Sequence, residues 1–167
     1  MNRHQIVFES FMGPILLSAS EIGLCRVSFM TQKSRLENPI YSKKTNPFLS
    51  LATEQLEQYF QGDRKEFEIP LDLSQGTEFQ RKVWENLLQL KFGKVTSYKN
   101  QATEIFGIGR GVRAVAQANA RNPIAIIVPC HRVIASSGKL QGYASGLAHK
   151  ESLLQLEGSK VEKGYVG

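Results

Sequence analysis

A cysteine, a histidine and an arginine occur in consecutive positions just after an apolar run. Cys130 follows Pro129, which interrupts the hydrogen bonding of a strand, and His131 and Arg132 come next. Positive neighbours and a free backbone turn lower the pKa of a thiol, and the resulting thiolate is a nucleophile. Cys130 is therefore a candidate nucleophile, although its spacing alone fits a buried structural cysteine equally well.

His131 is the candidate general base, and its position limits how it could act. Adjacent side chains of a strand point to opposite faces, so contact between His131 and Cys130 needs a turn or a bridging water. A carboxylate that could orient the imidazole is available at Glu151, in the last predicted helix. The alternative is a histidine that is satisfied at the surface or in the core and has no catalytic role.

All the excess positive charge lies in the second part of the chain. Residues 1–75 carry 8 Lys and Arg against 9 Asp and Glu, a net charge of −1. Residues 76–167 carry 13 against 6, a net charge of +7. A basic half is typical of a protein that binds a polyanion such as nucleic acid, and solubility is the alternative explanation.

Two cysteines are too few for a disulfide framework. No apolar run reaches the length of a membrane span, and residues 1–20 lack the pattern of a signal peptide. We therefore expect a soluble cytoplasmic protein, and its 167 residues allow one domain or two small ones. No metal is expected, because the candidate ligands lack paired spacing; these are His4, Cys25, Cys130, His131 and His149.

The first part of the sequence predicts a small sheet and one helix. Turn residues separate three β-rich runs, which favours an antiparallel meander. Asn46-Pro47 predicts a helix start, and apolar residues at helical spacing follow until Gly62. The predicted strands are residues 5–8, 15–20, 24–29 and 66–71, and residues 30–45 are predicted to be a loop.

The second part predicts three helices followed by a short hairpin, which is the order of a winged helix-turn-helix. Thr77 and Gln80 form a capping box before an amphipathic helix. An apolar β-branched run over residues 124–128 predicts a buried strand. The other predicted elements are helices over residues 99–106, 112–120 and 147–157, with a hairpin turn at residues 136–139.

The helix predicted over residues 112–120 consists almost entirely of small side chains, with one long cation, Arg113, near its start. Small side chains let a helix approach a groove closely, and an arginine can replace an extruded base in the stack. Tight helix–helix packing is the alternative, but the basic charge of this half favours nucleic acid.

The residues around Cys130 resemble the active-site signature of the O6-alkylguanine-DNA alkyltransferases, the methylated-DNA–protein-cysteine methyltransferases. The resemblance extends over residues 77–158 in several separated motifs, and it is looser in the N-terminal half. The motifs that carry it are Phe79-Gln80-Arg81-Lys82-Val83-Trp84, Gly93-Lys94-Val95-Thr96-Ser97-Tyr98, Arg113-Ala114-Val115, Asn122-Pro123, Ile127-Val128-Pro129-Cys130-His131-Arg132-Val133-Ile134, Gly142-Tyr143-Ala144 and Lys150-Glu151-Ser152-Leu153-Leu154.

This resemblance implies direct reversal of DNA damage by an α+β protein. Residues 1–75 would form a ribonuclease-H-like domain, and residues 76–167 a winged helix-turn-helix domain. The family flips O6-alkylguanine out of the duplex and transfers the alkyl group irreversibly to its cysteine, once per molecule and without a cofactor; O4-alkylthymine is a second candidate substrate. The expected partner is double-stranded alkylated DNA, bound by a monomer with no obligate protein partner. A non-catalytic DNA-binding module with a structural Cys130 is the competing hypothesis.

The resemblance also assigns roles to individual residues. Cys130 would accept the alkyl group, and His131 would act on it through a water while Glu151 holds the imidazole. Asn122 would brace the turn before the cysteine, and Tyr98 would press on the DNA backbone phosphate beside the flipped base. The chemistry of its phenol also makes Tyr98 a candidate donor of the proton that the leaving guanine needs. Arg113 would fill the gap left by the flipped base, and the backbone carbonyls of Cys130 and Val133 would accept from the guanine amine. The other expected DNA contacts are Ala114, Gln117 and Ala118, and the expected pocket residues are Pro129, Val133, Tyr143, Ala144 and Ser145, the last of which stands where bacterial members commonly have glycine.

Overall fold

An antiparallel meander begins the chain. In the computed structural model, which describes residues 3–37 and 46–167, three strands pair in the order β1-β2-β3. Alternate side chains of the central strand, such as Ile15 and Leu17, are buried, which fixes the register of a sheet with one face on the core. The predicted meander is confirmed, with strands β1 (His4–Ser10), β2 (Gly13–Ala19) and β3 (Leu24–Phe29).

Helix α2 (Pro47–Phe60) packs against this sheet. The Asn46 side chain accepts from the backbone N–H groups of Phe48 and Leu49, and proline occupies the first helical position, so the predicted start is confirmed. A short helix α1 (Gln32–Glu37) lies where the sequence predicted a loop, and that part of the prediction is wrong. The remainder of the predicted loop, residues 38–45, falls outside the described residues.

Residues 66–71 do not form the predicted strand. The Gln55 side chain donates to the Glu68 carbonyl at 3.2 Å and accepts from the Glu68 N–H at 2.8 Å. It therefore uses the backbone groups that a neighbouring strand would need. Only Leu71 pairs with the sheet, in a single bridge to Leu24. Close approach is possible there because Gly23 has no Cβ, which would lie 2.6 Å from the Pro70 carbonyl oxygen.

Three helices begin the second part of the chain, namely α3 (Glu78–Leu87), α4 (Tyr98–Phe106) and α5 (Val112–Ala120). The capping box of Thr77 and Gln80 is present at the start of α3. The indole of Trp84 in α3 donates to the Ala118 carbonyl in α5 at 2.8 Å. Gln101 in α4 and Asn119 in α5 exchange amide hydrogen bonds in the interior. Polar contacts thus fix α5 against both other helices.

The apolar run at residues 124–128 is buried, but it is not the predicted strand. Ile124 makes one bridge to Val27, and the following residues form a turn in which Ile126 has a φ of 72°. This left-handed conformation cannot continue a ladder. The Asn122 side chain donates to the Val128 carbonyl at 2.7 Å and stabilises the turn.

The chain ends in short elements around one more helix. Strands β4 (Thr96–Ser97) and β5 (Val133–Ile134) pair in parallel. The predicted turn at residues 136–139 is confirmed by hydrogen bonds from Ala135 to Lys139 and from Gly138 to Ala135. The predicted last helix is confirmed as α6 (Leu147–Leu156). A terminal hairpin of β6 (Val161–Glu162) and β7 (Tyr165–Val166) was missed by the sequence prediction.

The chain divides into two compact units, and the fold mixes a small N-terminal sheet with a helical C-terminal part. The first unit contains the described residues up to Gln75 together with Pro123–Ala125, and the second contains Gly76–Asn122 and Ile126–Gly167. The sequence prediction had assigned residues 123–125 to the second domain. They join the first because Val27 donates to the Pro123 carbonyl at 3.0 Å. In the described residues no helix combines the length and apolarity needed to cross a membrane.

Candidate active site around Cys130

Cys130 begins a single 3-10 turn, Cys130–Arg132, just before β5. Its Sγ is 3.2 Å from the donor Nδ2 of Asn122. Asn122 also holds the Val128 carbonyl, so one amide fixes the turn and contacts the sulfur. The structure thus brings two of the expected site residues together in the second unit. The thiol is free, and Cys130 as a whole residue is partly exposed.

Opposing influences act on the pKa of Cys130. Burial raises the pKa of the thiol, because a thiolate loses hydration there. The hydrogen bond from Asn122 and the positive charge of Lys150 both lower it. Burial thus disfavours the thiolate form of Cys130, whereas Asn122 and Lys150 stabilise it.

His131 is fully buried, and its ring is held at one nitrogen. Nε2 lies 2.8 Å from the Glu157 Oε1, whereas Nδ1 has no hydrogen-bond partner among the described residues. Burial alone would raise the pKa of Glu157, but the hydrogen bonds from His131 and Arg132 and the positive charge of Arg132 lower it to about 2, so Glu157 is an ionised acceptor. The proton of a neutral imidazole therefore belongs on Nε2, which leaves the lone pair on Nδ1. Burial lowers the pKa of His131 and favours this neutral form.

Glu157, rather than Glu151, is the carboxylate that orients His131, so the prediction for Glu151 is wrong. The Glu151 carboxylate accepts from Gln155 at 3.2 Å on the exposed side of α6. At about 100° per residue, the six-residue step from Glu151 to Glu157 places the two side chains about 120° apart around the helix. The sequence held one clue: an acid at a helix C-terminus is unfavourable unless a cation compensates it, and Glu157 occupies that end.

Arg132 supplies that compensation. Its Nε donates to Glu157 Oε2 at 2.8 Å and its Nη2 donates to Oε1 at 2.9 Å, which is a bidentate pair. A third donor, Nη1, reaches the Leu90 carbonyl. The guanidinium is buried, so this pair is shielded from solvent. Arg132 therefore fixes the carboxylate that fixes His131.

Lys150 is a site residue for which the sequence predicted no role. It is fully buried, and its ammonium donates to the carbonyls of Val133 at 2.5 Å and Gln141 at 2.7 Å. Burial lowers the pKa of Lys150 to about 8, while the Cys130 charge acts in the opposite direction. The available signal was its position in the buried stripe of α6, in helical spacing with Leu153 and Leu154.

Tyr98 lies beside this lysine at the start of α4. Its hydroxyl donates to the Gln141 carbonyl at 2.6 Å, and Lys150 Nζ donates to the Tyr98 hydroxyl oxygen at 3.4 Å. Burial and the charge of Cys130 raise the pKa of Tyr98 to about 12, so the phenol stays protonated at neutral pH. The structure thus places a phenol and an ammonium together near the sulfur.

The expected pocket residues occupy two environments. Pro129 and Val133 are buried on either side of the Cys130 turn. The Tyr143 hydroxyl is buried without a hydrogen-bond partner among the described residues. Burial and the negative charges of Cys130 and Glu157 raise the pKa of Tyr143 well above its ordinary value, which places its ring near them. The other two residues lie further out, where Ala144 is exposed and the Ser145 hydroxyl contacts His149 at 2.8 Å.

Helix α5 exposes one stripe of the predicted DNA-contact residues. Arg113, Ala114 and Gln117 face solvent on this stripe. Ala118 lies on the inner face, and its carbonyl accepts from Trp84. The prediction that Ala118 contacts DNA is therefore wrong.

Cys25 occupies a different environment from Cys130. It is buried in β3, and its Sγ is 3.4 Å from the Ser18 carbonyl. Burial raises the pKa of this thiol, which suits a packing residue. Across residues 3–37 and 46–167, no three His, Cys, Asp or Glu side chains are grouped so that they could hold a metal ion.

Comparisons with known proteins find relatives over nearly the full chain. The DNA-binding domain model of 6-O-methylguanine DNA methyltransferase matches residues 78–159, and the ribonuclease-like domain model matches residues 4–73. A methylated-DNA–protein-cysteine methyltransferase of Methanosarcina acetivorans is 50% identical over 153 residues, covering 92% of this chain and 97% of the relative. The O6-methylguanine methyltransferase structure of Mycobacterium tuberculosis has a TM-score of 0.81 at 40% identity, covering 97% of this chain and 96% of that one. The M. tuberculosis OGT structure in complex with DNA has a TM-score of 0.79 at 41% identity, covering 94% and 92%.

The matched DNA-binding segment contains the thiol, the imidazole and the carboxylate described above, at Cys130, His131 and Glu157. The resemblance found in the sequence motifs is thus confirmed by independent comparisons over nearly the full chain. This chain belongs to the 6-O-methylguanine DNA methyltransferase family.

Proposed function

We propose that this protein repairs DNA by transferring an alkyl group from O6-alkylguanine to Sγ of Cys130, irreversibly and once per molecule. O4-alkylthymine is a second candidate substrate. The observation that carries the proposal is the pairing of a thiol contacted by Asn122 with an adjacent imidazole held by Glu157. No cofactor is required, because the protein itself accepts the group.

The first step forms the thiolate. A water between the two groups takes the thiol proton to His131 Nδ1, which carries a lone pair because Nε2 donates to Glu157. Glu157 stabilises the imidazolium that forms, and Asn122 donates to the sulfur as it becomes negative. The buried environment leaves the thiolate poorly solvated and reactive.

The second step moves the alkyl carbon from oxygen to sulfur. The thiolate attacks this carbon, an S–C bond forms, and the O6–C bond breaks with its electron pair remaining on guanine. The Tyr98 hydroxyl supplies the proton that the departing base needs. Lys150, 3.4 Å from the phenol oxygen, stabilises the phenolate and returns a proton to it.

DNA binding uses the exposed stripe of α5. The small side chain of Ala114 permits close approach of the helix to a groove, and Gln117 contacts the duplex beside it. The lesion flips out of the stack, Arg113 fills its place, and the ring of Tyr143 forms a wall of the pocket. The net charge of +7 on residues 76–167 supports attraction to the phosphates.

We also propose a monomer that acts in the cytoplasm. The chemistry assigns every role in transfer to one chain, so a second copy is not needed for the reaction. Both Cys25 and Cys130 are free thiols, and a nucleophilic thiol requires a reducing compartment.

The decisive experiment is intact-mass measurement after incubation with duplex DNA that carries O6-methylguanine. We expect the wild-type mass to increase by one methyl group at a stoichiometry of one, and the Cys130→Ser variant to keep its mass. The competing non-catalytic DNA-binding module would bind the duplex and keep its mass in both cases. An unchanged wild-type mass would therefore overturn the proposal.

A second experiment tests the role of Arg113. Arg113→Ala should slow repair of the duplex far more than the reaction with free O6-benzylguanine, since only the duplex requires flipping. Equal losses on the two substrates would contradict a role in filling the gap.

A further inference from the structure

A glycine-rich turn between α4 and α5 presents an isoleucine to solvent. Ile108 is 88% exposed, the largest fraction among the large apolar side chains of the described residues. The three glycines around it, Gly107, Gly109 and Gly111, have φ values of 89°, 75° and 71°. Other residues rarely adopt such φ values, so the course of this turn depends on its three glycines.

The base of this turn is packed, whereas its tip is not. The Phe106 ring, at the end of α4, stacks on Phe79 with centroids 5.1 Å apart, and a Cβ on Gly111 would lie 3.1 Å from it. A Cβ added at Gly107 or Gly109 would meet no atom within 4 Å. Ile108 is therefore almost free of packing contacts in its own unit, although the base of the turn is packed.

Positive charge lies next to the isoleucine. Arg110 and Arg113 are both exposed, and neither forms an ion pair with a residue in the described part of the chain. Helix α5 has no acidic residue in its first turn, and its N-cap, Gly111, has no side chain to accept from the first N–H groups. Each feature favours an anion at this end of the helix.

We propose that the turn of residues 107–111 is a further DNA contact, in which Ile108 packs against the apolar edges of a groove and Arg110 contacts a phosphate beside it. This inference rests on the proposed function, which places Arg113 at the duplex. An apolar side chain followed by two exposed cations matches a groove in which deoxyribose edges and thymine methyl groups offer apolar surface beside the phosphates. A second copy of the chain is a poorer partner, because it would bring two pairs of unpaired arginines together.

The test compares Ile108→Ser with Ile22→Ser, a matched control at an isoleucine that is 64% exposed in the β2–β3 turn. All variants are made in a Cys130→Ser background, which cannot react with the lesion. Fluorescence anisotropy with an O6-methylguanine duplex then measures the DNA affinity of each variant. We expect Ile108→Ser to weaken binding about tenfold, as for the loss of a partly buried isoleucine, and Ile108→Leu to restore most of it. The control should bind as the background protein does.

Salt dependence separates the apolar contact from the phosphate contact. The slope of log K against log salt should fall by about 0.9 for Arg110→Gln, which loses one phosphate contact, and should stay unchanged for Ile108→Ser. The inference would be overturned if Ile108→Ser bound DNA with unchanged affinity, or if Ile22→Ser lost as much affinity as Ile108→Ser. So would a shift of the sedimentation coefficient in Ile108→Ser without DNA, since this would mark a self-association surface.

The two proposals can fail separately. If wild-type protein gains no methyl group, the proposed function fails whatever the turn does. If wild-type protein is methylated and the turn variants bind DNA normally, only the inference about the turn is wrong.

Discussion

Glu157 is contacted through both carboxylate oxygens by two residues that are adjacent in the chain. Oε1 lies 2.8 Å from His131 Nε2, and Oε2 accepts from Arg132 Nε at 2.8 Å. The 3-10 turn after Cys130 makes this possible, since it directs successive side chains towards the end of α6 instead of to opposite faces of a strand. The carboxylate therefore sets the tautomer of the imidazole next to the thiol, while the arginine keeps the carboxylate ionised.

The first prediction distinguishes the roles of Glu157 and Glu151. Glu157→Gln should lower the single-turnover rate with O6-benzylguanine about 100-fold, because general-base catalysis contributes roughly 10²–10⁴-fold and an amide no longer selects the productive tautomer. Glu151→Gln, the matched control on the same helix, should react at nearly the wild-type rate. Rates come from quenched time points analysed by intact mass. Equal rates in the two variants would contradict the assignment of Glu157.

The second prediction concerns acid stability. The pKa of Glu157 is lowered from 4.5 to about 2 in the folded protein, so its contribution is fully present above the unfolded value and is lost as the pH falls from about 4.5 to 2. That contribution is on the order of 3 kcal/mol from the size of the shift. Urea unfolding at pH 7, 4 and 3 measures it, and Glu157→Gln should lose less stability over this range than wild type. A parallel loss in both proteins would contradict the prediction.

Local signals explain which elements the sequence could predict. Helices α2 and α3 begin just after Asn46 and Thr77, whose side chains cap the first N–H groups of each helix. Such contacts are encoded within four residues of sequence. The two predicted strands that do not exist failed for a different reason. An apolar or alternating run indicates burial, but the backbone groups of Glu68 and Val128 pair with the side chains of Gln55 and Asn122. Only Leu71 and Ile124 bridge to the sheet. Those partners depend on tertiary structure, which periodicity does not encode.

The site was predictable to a similar extent. Cys130, His131 and Asn122 lie in one short stretch whose motifs carry the family resemblance, and the structure groups them. Selecting Glu157 over Glu151 needed the phase of α6 relative to the turn, which follows only from packing. Lys150 was hidden because a lysine on a helix is usually solvated, and its buried position depends on carbonyls from two other segments.

The third prediction addresses the hydrogen bond to the sulfur. Asn122→Ala removes the donor 3.2 Å from Cys130 Sγ, so the pKa of the thiol should rise. The rate of iodoacetamide alkylation, measured against pH, should therefore shift to higher pH. Because Asn122 also holds the Val128 carbonyl, unfolding should be easier by about 1–2 kcal/mol. Measurement in a Cys25→Ala background restricts the signal to Cys130, and an unshifted pH profile would contradict the role of the amide.

The fourth prediction concerns the charge of Lys150. Its pKa of about 8 keeps it protonated at pH 7, where its charge lowers the pKa of Cys130. Lys150→Gln retains a donor for the surrounding carbonyls but removes the charge, so the thiolate should become scarcer. We expect alkylation of Cys130 by iodoacetamide to slow about tenfold at neutral pH, the factor that corresponds to one pKa unit.

The pH profile provides the sharper part of this fourth test. In wild type the Lys150 ammonium loses its proton as the pH rises through about 8, and its charge then no longer lowers the pKa of Cys130. The difference in alkylation rate between wild type and Lys150→Gln should therefore narrow above that pH. Lys160→Gln, at an exposed lysine beyond α6, is the matched control and should follow the wild-type profile. A constant ratio of rates from pH 6 to pH 10 would show that Lys150 acts through packing alone, because loss of the ammonium charge within that window would change the ratio.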